Sequence, residues 1–430
     1  MIYLLCDRLS PTSFFKPYYD ILPPTLSNMP IFWSQAELDL LKGSYLLTQI
    51  ADRIAAIEED YAAILAVAPD LANVASLTDF KWARMAVCSR NFGLVINGVR
   101  TSALVPHADM LNHYRPRETK WTFDNSEQAF TITALQDIKA GGQIYDSYGQ
   151  KCNHRFLLNY GFAVEENREA DGFCPNEVSL ELALSPPPPA AAPSPDHLSA
   201  DGDAPAAVPP PATDFEASKY AFWIRDGPGN NKRIRVCQSN NDATKSLFSM
   251  LRVLTASSED MAAITSAGPY MYRSCRDVRF ALSLDSERRA LRELARICGE
   301  ALAAYPTTLA QDNEQLATEG RLAPFSNERH ACIQVRGEKE VLHHFVRLSE
   351  VALEAIDAQT DDSFEAIVRR VSETENTSIA QYVKDVVNGV RREEKRKGRL
   401  LSAAAAAGGE EEGGRAVEVG VEVAAVAEDA

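Results

Sequence analysis

Apolar side chains at helical spacing mark the first part of the chain. Ile50, Ile54, Ile57, Tyr61 and Ile64 are separated by three or four residues, so on a helix they form one continuous apolar stripe. Pro69 would end that helix, because proline lacks a backbone donor and clashes with the preceding turn. The pattern predicts that residues 1–88 are helical and that the stripe packs in the core.

Near residue 90 the period changes from helical to alternating. Residues 94–99 predict a strand that enters an Asn97-Gly98 turn, and residues 130–134 and 178–182 alternate as half-buried strands do. We also expect an apolar strand to precede Asn112-His113, and a short strand at 143–145 after the Gly141-Gly142 turn. Short strands with irregular connections favour a compact β-rich region.

The second half of the chain returns to helical spacing. Leu291, Leu294, Cys298 and Leu302 form an inward stripe, with Ser286 as the expected N-cap. Residues 341–356 predict a second long helix. This half is therefore expected to be a mostly α-helical domain that ends near residue 400.

Two segments have compositions that do not support a packed core. Residues 185–213 are rich in Pro, Ala, Ser and Asp, and residues 401–430 are rich in Ala, Gly and Glu. Such segments contain too few large apolar side chains to offset the entropy of ordering, so we expect a disordered insertion and a disordered tail. The basic run at 391–397 is expected to be a solvated helix face.

The charge and the hydropathy of the chain narrow the functional classes. The 430 residues have a net charge of -16, which argues against direct nucleic-acid binding, because neutralising phosphates needs clustered Lys and Arg. No 18-residue apolar run is present, and Asp7 and Arg8 interrupt the apolar start. We expect an intracellular protein that does not enter a membrane, in the cytoplasm or the nucleus, with the chloroplast not excluded. The sequence does not indicate the oligomeric state.

Eight cysteines are scattered along the chain without a CxxC pair. This spacing indicates neither a zinc site nor a disulfide framework, so no metal is expected, and it fits a reducing compartment. Cys152 could be read as a nucleophile, but no base partner is identifiable in the sequence.

Polar, aromatic and Gly positions are concentrated between residues 89 and 162. Residues 104–113 end in Asn112-His113, and two Tyr-Gly pairs follow, at Tyr148-Gly149 and Tyr160-Gly161. Taken alone, Asn112 and His113 could simply satisfy buried backbone groups. Ser89-Arg90-Asn91-Phe92 and the two Tyr-Gly pairs accompany them, and such a concentration of polar, aromatic and Gly positions is rare in a plain core.

These motifs resemble those of SET-domain protein methyltransferases, in the subgroup of the Rubisco large-subunit lysine methyltransferase and the actin-histidine methyltransferase. The resemblance extends to residues 5–18 and to Asn327-Glu328-Arg329 with Arg336-Gly337-Glu338-Lys339. It implies an α+β fold: the C-terminal half of a β-rich SET domain with a helical insertion, followed by a helical substrate-binding domain. The implied boundaries are 1–88 for the insertion, 89–172 for the SET core, 173–184 for a connecting strand, 185–213 for the disordered insertion, 214–400 for the helical domain and 401–430 for the tail.

The resemblance also implies a cofactor and residue roles. S-adenosylmethionine would be the methyl donor, and a protein substrate would dock on the helical domain. Arg90 would contact the cofactor carboxylate, Asn112 and His113 would hold its amino group and adenine, and Tyr148 would be the catalytic tyrosine beside the methyl group. Phe92 and Tyr160 would line the acceptor channel, with Ala108 in its wall, and Asp109 would either assist near the acceptor or be a buried structural carboxylate.

Two positions, Phe92 and Ala108, bear on which type of residue accepts the methyl group. In the histidine-methylating branch an amide stands at the position of Phe92 and a Trp at that of Ala108, whereas here both residues are apolar and one is small. A channel without an imidazole partner favours lysine, with histidine as the alternative.

The main departure from the subgroup lies at the start of the sequence. In the subgroup, strands with a Gly-rich cofactor turn precede the helical insertion, whereas here no Gly occurs before Gly43. We therefore expect an N-terminally truncated SET domain, and a non-catalytic protein-binding homologue is the second alternative. Tyr114 and Cys152 also stand where Ser is common in the subgroup.

Overall fold

The computed structural model describes residues 1–187, 214–268, 271–375 and 377–408. The helices are α1 (Ile2–Asp7), α2 (Lys16–Ile21), α3 (Gln35–Asp39), α4 (Leu46–Val67), α5 (Leu77–Arg90), α6 (Asn153–Tyr160), α7 (Asp214–Trp223), α8 (Asp242–Leu254), α9 (Ser258–Ser266), α10 (Leu284–Ala303), α11 (Leu309–Ala317), α12 (Asn327–Asp357), α13 (Asp361–Thr374), α14 (Thr377–Tyr382) and α15 (Asn388–Gly408). The strands are β1 (Asn91–Ile96), β2 (Val99–Leu104), β3 (Asn112–His113), β4 (Thr119–Asp124), β5 (Ala129–Ala134), β6 (Tyr145–Asp146), β7 (Glu177–Ala183) and β8 (Asn231–Cys237). The predicted α+β class is confirmed.

The first part of the chain is helical, as its apolar stripe predicts. α4 buries Ile50 and Ile57 of that stripe and ends two residues before Pro69. α5 begins with a capping box in which Ser76 and Asp79 accept hydrogen bonds from each other's backbone N–H groups. This box fixes where α5 starts. The helix ends at Arg90, where Asn91 adopts an extended conformation and begins β1.

Short two-stranded ladders form the middle of the chain. β1 and β2 pair antiparallel across Asn97-Gly98, where both residues have positive φ angles of 50° and 81°, as a tight hairpin turn requires. β4 and β5 also pair antiparallel. β3 and β6 pair in parallel, with Asn112 opposite Tyr145, so two segments far apart in sequence are brought side by side.

Two details of the predicted strands were wrong. β2 ends at Leu104, and the 3₁₀ turn Ala108–Met110 separates it from β3, because Pro106 has no backbone N–H to continue a ladder and His107 adopts a positive φ of 74°. The strand expected at 143–145 is instead β6, Tyr145–Asp146. Its length is set by its two-residue partner β3, which local sequence does not reveal.

The second half is mostly helical but begins with a strand pair. β7, predicted as a connecting strand, pairs antiparallel with β8, which lies within the region predicted to be helical. α10 begins at Leu284 with Ser283 as its N-cap, and Ser283 accepts a hydrogen bond from the backbone N–H of the predicted cap Ser286. α12 includes the helix predicted at 341–356.

The predicted low-complexity segments lie mainly beyond the described residues. α15 continues to Gly408, so the first eight residues of the predicted disordered tail are helical. Residues 188–213 and 409–430 lie outside the described part of the chain. Within that part, no helix combines the length and the apolar composition needed to cross a bilayer.

α12 joins the two halves of the molecule through polar side chains. Asn327 donates to the backbone carbonyl of Ser27 at 3.1 Å and to Glu37 at 2.6 Å. His330 Nδ1 accepts from the backbone N–H of Ala163 at 3.1 Å. The buried Glu338 accepts from Ser44 and from Tyr305, each at 2.9 Å.

Three more of the residues quoted for the family resemblance contact the other half, whereas Lys339 bonds Thr307 and Asp312 within the helical half. Arg329 forms an ion pair with Glu165, and Arg336 donates to the backbone carbonyl of Glu165. Gly337 lies against Asn176: a Cβ added there would stand 2.7 Å from the Asn176 amide nitrogen. These contacts of α12 therefore hold the helical half against the β-rich half.

Candidate functional site

Tyr148 lies just after β6 and is held at both ends by the segment around β3. Its backbone N–H donates to Nδ1 of His113 at 3.0 Å, and its hydroxyl donates to the backbone carbonyl of Leu111 at 2.7 Å. Burial raises the pKa of Tyr148 to about 12. The hydroxyl therefore stays protonated at neutral pH, its hydrogen is committed to Leu111, and its oxygen lone pairs are available to a ligand.

Two cavities meet at this tyrosine. The smaller has a volume of about 180 Å³ and the larger a volume of about 800 Å³. The side chains that line both cavities are Ser89, Arg90, Asp109, Tyr148 and Tyr160. Two different molecules, one in each cavity, would therefore face each other across a shared wall.

Asp109 forms the charged part of that wall. Its Oδ2 accepts from Arg90 at 3.1 Å and from the hydroxyl of Tyr18 in α2 at 2.7 Å. Its Oδ1 is buried, and within the described residues it has no hydrogen-bond partner. An unpaired buried acceptor is costly, so a ligand that brings an N–H or an ammonium group would stabilise this wall.

His113 presents the complementary group to the larger cavity. Because Nδ1 accepts from Tyr148, the neutral ring carries its hydrogen on Nε2. That Nε2 is buried and unpaired within the described part of the chain. Burial, with Arg115 and Lys151 nearby, lowers the pKa of His113 to about 4, so the ring is a neutral donor at physiological pH.

Aromatic rings surround the smaller cavity. Phe92 packs edge-on against Trp121 with ring centroids 5.3 Å apart, and Tyr148 stacks on Tyr160 at 5.0 Å. The buried Ala108 completes the wall with a small side chain. Such a cavity has the shape and polarity for a slender aliphatic chain, and its ring faces can also accommodate a cation.

Lys151 lies at the edge of the smaller cavity. Its ammonium group donates to the backbone carbonyl of Tyr148 and stands 5.7 Å from the ring centroid of Tyr160. Burial lowers the pKa of Lys151. Burial at this edge of the cavity therefore disfavours the charged form of the Lys151 amine.

Comparison with known proteins identifies the architecture. Residues 211–342 match the family described as Rubisco LSMT substrate-binding. The structure superposes on the SET domain of LSMT bound to lysine and AdoHcy with a TM-score of 0.61 and 22% identity, covering 88% of this chain and 80% of that chain. The structure of Rubisco LSMT bound to AdoMet gives a TM-score of 0.60 at 22% identity, covering 86% of this chain and 78% of that chain.

The chain has the SET-domain fold of LSMT. The resemblance seen in the sequence motifs is thereby confirmed.

The similar curated proteins are actin-histidine N-methyltransferases. The protein of Gallus gallus is 24% identical over 375 residues, which is 84% of this chain and 57% of the relative. The protein of Homo sapiens is 24% identical over 376 residues, with 84% and 57% coverage, and that of Mus musculus is 30% identical over 193 residues, with 43% and 31% coverage. The chain thus spans little more than half the length of the chicken and human relatives.

In this SET core, the structure brings all the residues singled out from the sequence to the two cavities. The smaller cavity is lined by Arg90, Phe92, Ala108, Asp109, Tyr148 and Tyr160. The larger is lined by Arg90, Asp109, Asn112, His113, Tyr148 and Tyr160. Their individual roles remain predictions.

Sequence reasoning missed several side chains of this SET core. Trp121 and Lys151 line the smaller cavity and Phe162 lines the larger one, while Tyr18 bonds Asp109 from a distance of 91 residues along the chain. Phe162 directly follows the Tyr160-Gly161 pair, so its position in the sequence was a usable signal. Tyr18 lies in the segment 5–18 that carries the resemblance, but its bond to Asp109, like the position of Trp121, depends on the tertiary fold.

Proposed function

We propose that this chain acts as a protein-lysine N-methyltransferase that uses S-adenosylmethionine. The observation that carries the proposal is the junction of two cavities at Tyr148. A transfer between two bound molecules needs a donor site and an acceptor site that open onto one point, because alignment supplies much of the rate acceleration. The named activities of the relatives and the ligands of the LSMT structures support the same class of reaction.

The larger cavity would hold the cofactor. Asp109 Oδ1 and His113 Nε2 are buried groups without partners in the described residues, one an acceptor and the other a donor. A molecule with an ammonium group and a heteroaromatic acceptor would satisfy both groups. Arg90 uses one terminal nitrogen for Asp109, so its other N–H groups can donate to the cofactor carboxylate.

The smaller cavity would hold the acceptor lysine. When bound, S-adenosylmethionine supplies a methyl group on a positively charged sulfonium, and the acceptor must present a neutral amine. A free lysine has a pKa of about 10.4 and is charged at neutral pH. Burial among Phe92, Trp121 and Tyr160 disfavours that charge, as the lowered pKa of Lys151 in the same cavity illustrates.

Lysine is preferred over histidine because the two positions that distinguish the acceptor types, Phe92 and Ala108, are apolar in this cavity. Asn91 is an amide that lines the smaller cavity. Its Nδ2 hydrogens are donated to the backbone carbonyls of Val87 and Cys88. Phe92 and Ala108 provide no hydrogen-bond partner. Histidine methylation is the second candidate, favoured by the names of the curated relatives.

The helical half would dock the protein substrate. Its match to the Rubisco LSMT substrate-binding family covers 211–342, and α12 fixes that half against the SET core through Asn327, His330 and Glu338. A third candidate follows from the same observation: a protein that binds a partner through the helical half without catalysing transfer.

Calorimetric titration of the whole chain with S-adenosylmethionine tests the proposal. We expect binding of one molecule per chain. Asp109→Asn should weaken it roughly 10- to 100-fold, since a hydrogen bond to a charged group is worth about 1.5–3 kcal/mol. Asp124→Asn is the matched control, because Asp124 is the last residue of β4 and, among the described residues, its carboxylate bonds only Ser126 and Glu127. A folded chain that shows no heat at millimolar cofactor would favour the non-catalytic binding protein.

A further inference from the structure

Three potential metal ligands meet where α6 begins and β7 begins. Cys152 is the N-cap of α6, His154 is its second residue, and Glu177 is the first residue of β7. Their ligand atoms all lie within 4.8 Å of one another. Cys152 and His154 are buried, at 3% and 6% exposure, and Glu177 is partly buried.

The distances between these atoms match the edges of a tetrahedral zinc site. Cys152 Sγ lies 3.6 Å from His154 Nε2 and 3.6 Å from Glu177 Oε2. Zinc bonds of about 2.3 Å to sulfur and about 2.0–2.2 Å to nitrogen and oxygen, at tetrahedral angles, place sulfur about 3.6 Å from each other ligand. A zinc ion would therefore fit with both sulfur-containing edges unchanged.

The donor set selects the class of ion. Thiolate and imidazole favour a borderline ion such as Zn²⁺ over Mg²⁺ or Ca²⁺, which prefer oxygen ligands. The two positive charges of zinc balance one thiolate and one carboxylate, so the site buries no net charge. Arg155 and Arg235 lie close to His154, and this balance limits their repulsion of the ion.

We propose that Cys152, His154 and Glu177 form a zinc site with water as the fourth ligand. Binding forms a bond from zinc to the Cys152 sulfur and releases the thiol proton to solvent. The ion would tie the start of α6 to β7. Because Lys151 directly precedes Cys152, the same tie fixes one edge of the smaller cavity, but zinc binding itself does not depend on the proposed function.

Cobalt binding to the full chain tests this site, because cobalt replaces zinc and reports its ligands by absorption. Titration of the reduced chain with Co²⁺ should give a thiolate-to-cobalt charge-transfer band that saturates at one ion per chain, and Zn²⁺ should displace it. In Cys152→Ser the band should disappear. Glu177→Gln should weaken binding at least about 10-fold, the loss expected even for an outer-sphere contact.

Matched thiol controls make the result specific to this cluster. Cys237 is buried and pairs across the ladder with Glu177, and Cys6 is exposed, so Cys237→Ser and Cys6→Ser should keep the band. If Cys152→Ser does not fold, His154→Ala carries the test, and weaker cobalt binding in that folded variant is expected. Absence of the band in the folded wild-type chain at millimolar Co²⁺, or its persistence without Cys152, would overturn the proposal.

Discussion

Replacing Tyr148 by Phe should lower kcat about 10²- to 10³-fold, the loss typical when one preorganised polar contact to a transition state is removed. Tyr148 lines both cavities, and because its hydroxyl hydrogen is donated to Leu111, its oxygen lone pairs remain free to accept. There they favour the positive charge that passes from donor to acceptor. Cofactor affinity should change far less, because Arg90, Asp109 and His113 are untouched.

The matched control is Tyr61→Phe. The Tyr61 hydroxyl also donates to a backbone carbonyl, that of Ala75, at 2.7 Å, but it lies in α4 and lines neither cavity. Both variants should lose about 1 kcal/mol of stability from one hydrogen bond, while only Tyr148→Phe should lose activity. Single-turnover rates at saturating cofactor, together with calorimetric affinities, separate the two effects. Equal rates for Tyr148→Phe and wild type would remove Tyr148 from the catalytic role.

The second large effect concerns Glu338, the buried carboxyl that joins α12 to Ser44 and Tyr305. Burial raises the pKa of Glu338 from 4.5 to about 7. A carboxyl whose pKa is higher in the folded chain binds its proton more tightly when folded. Its stabilising contribution is therefore complete below pH 4.5 and is lost as the pH rises through about 7.

Glu338→Gln removes this dependence because the amide stays neutral. The unfolding free energy of the wild type relative to that of Glu338→Gln should fall by about 2–3 kcal/mol between about pH 5 and 8. Urea unfolding of both proteins at several pH values measures this difference. Glu328→Gln is the control, since Glu328 is exposed in the first turn of the same helix. If the difference in unfolding free energy between the wild type and Glu338→Gln does not vary with pH, the Glu338 carboxyl is not the titrating group.

The local sequence pattern was sufficient to predict elements whose conformation depends on residues close together in the sequence. The α4 stripe, the Asn97-Gly98 hairpin and the β7 alternation were readable because helix faces, tight turns and pleated strands impose fixed spacings. The N-cap of α10 was placed three residues late, since both Ser283 and Ser286 have a cap-forming side chain. Choosing between them requires knowing where the chain enters the helix.

Other features depend on contacts between distant segments, which a single sequence does not show. The parallel pairing of β3 with β6 joins Asn112 to Tyr145, and Tyr18 reaches Asp109 from another element. Glu177 meets Cys152 from 25 residues further along the chain. The site residues were nevertheless predicted together, because the family resemblance carried the tertiary arrangement that spacing alone could not supply.

The proposed lysine methylation is tested most directly by identifying the residue that becomes methylated. The chain is incubated with radiolabelled S-adenosylmethionine and a degenerate peptide library with a fixed central lysine, and in parallel with the same library carrying histidine there. We expect label in methyllysine, and we expect it to be lost in Tyr148→Phe and retained in Tyr61→Phe. Label in methylhistidine alone, or none in either library with a chain that binds the cofactor, would contradict it.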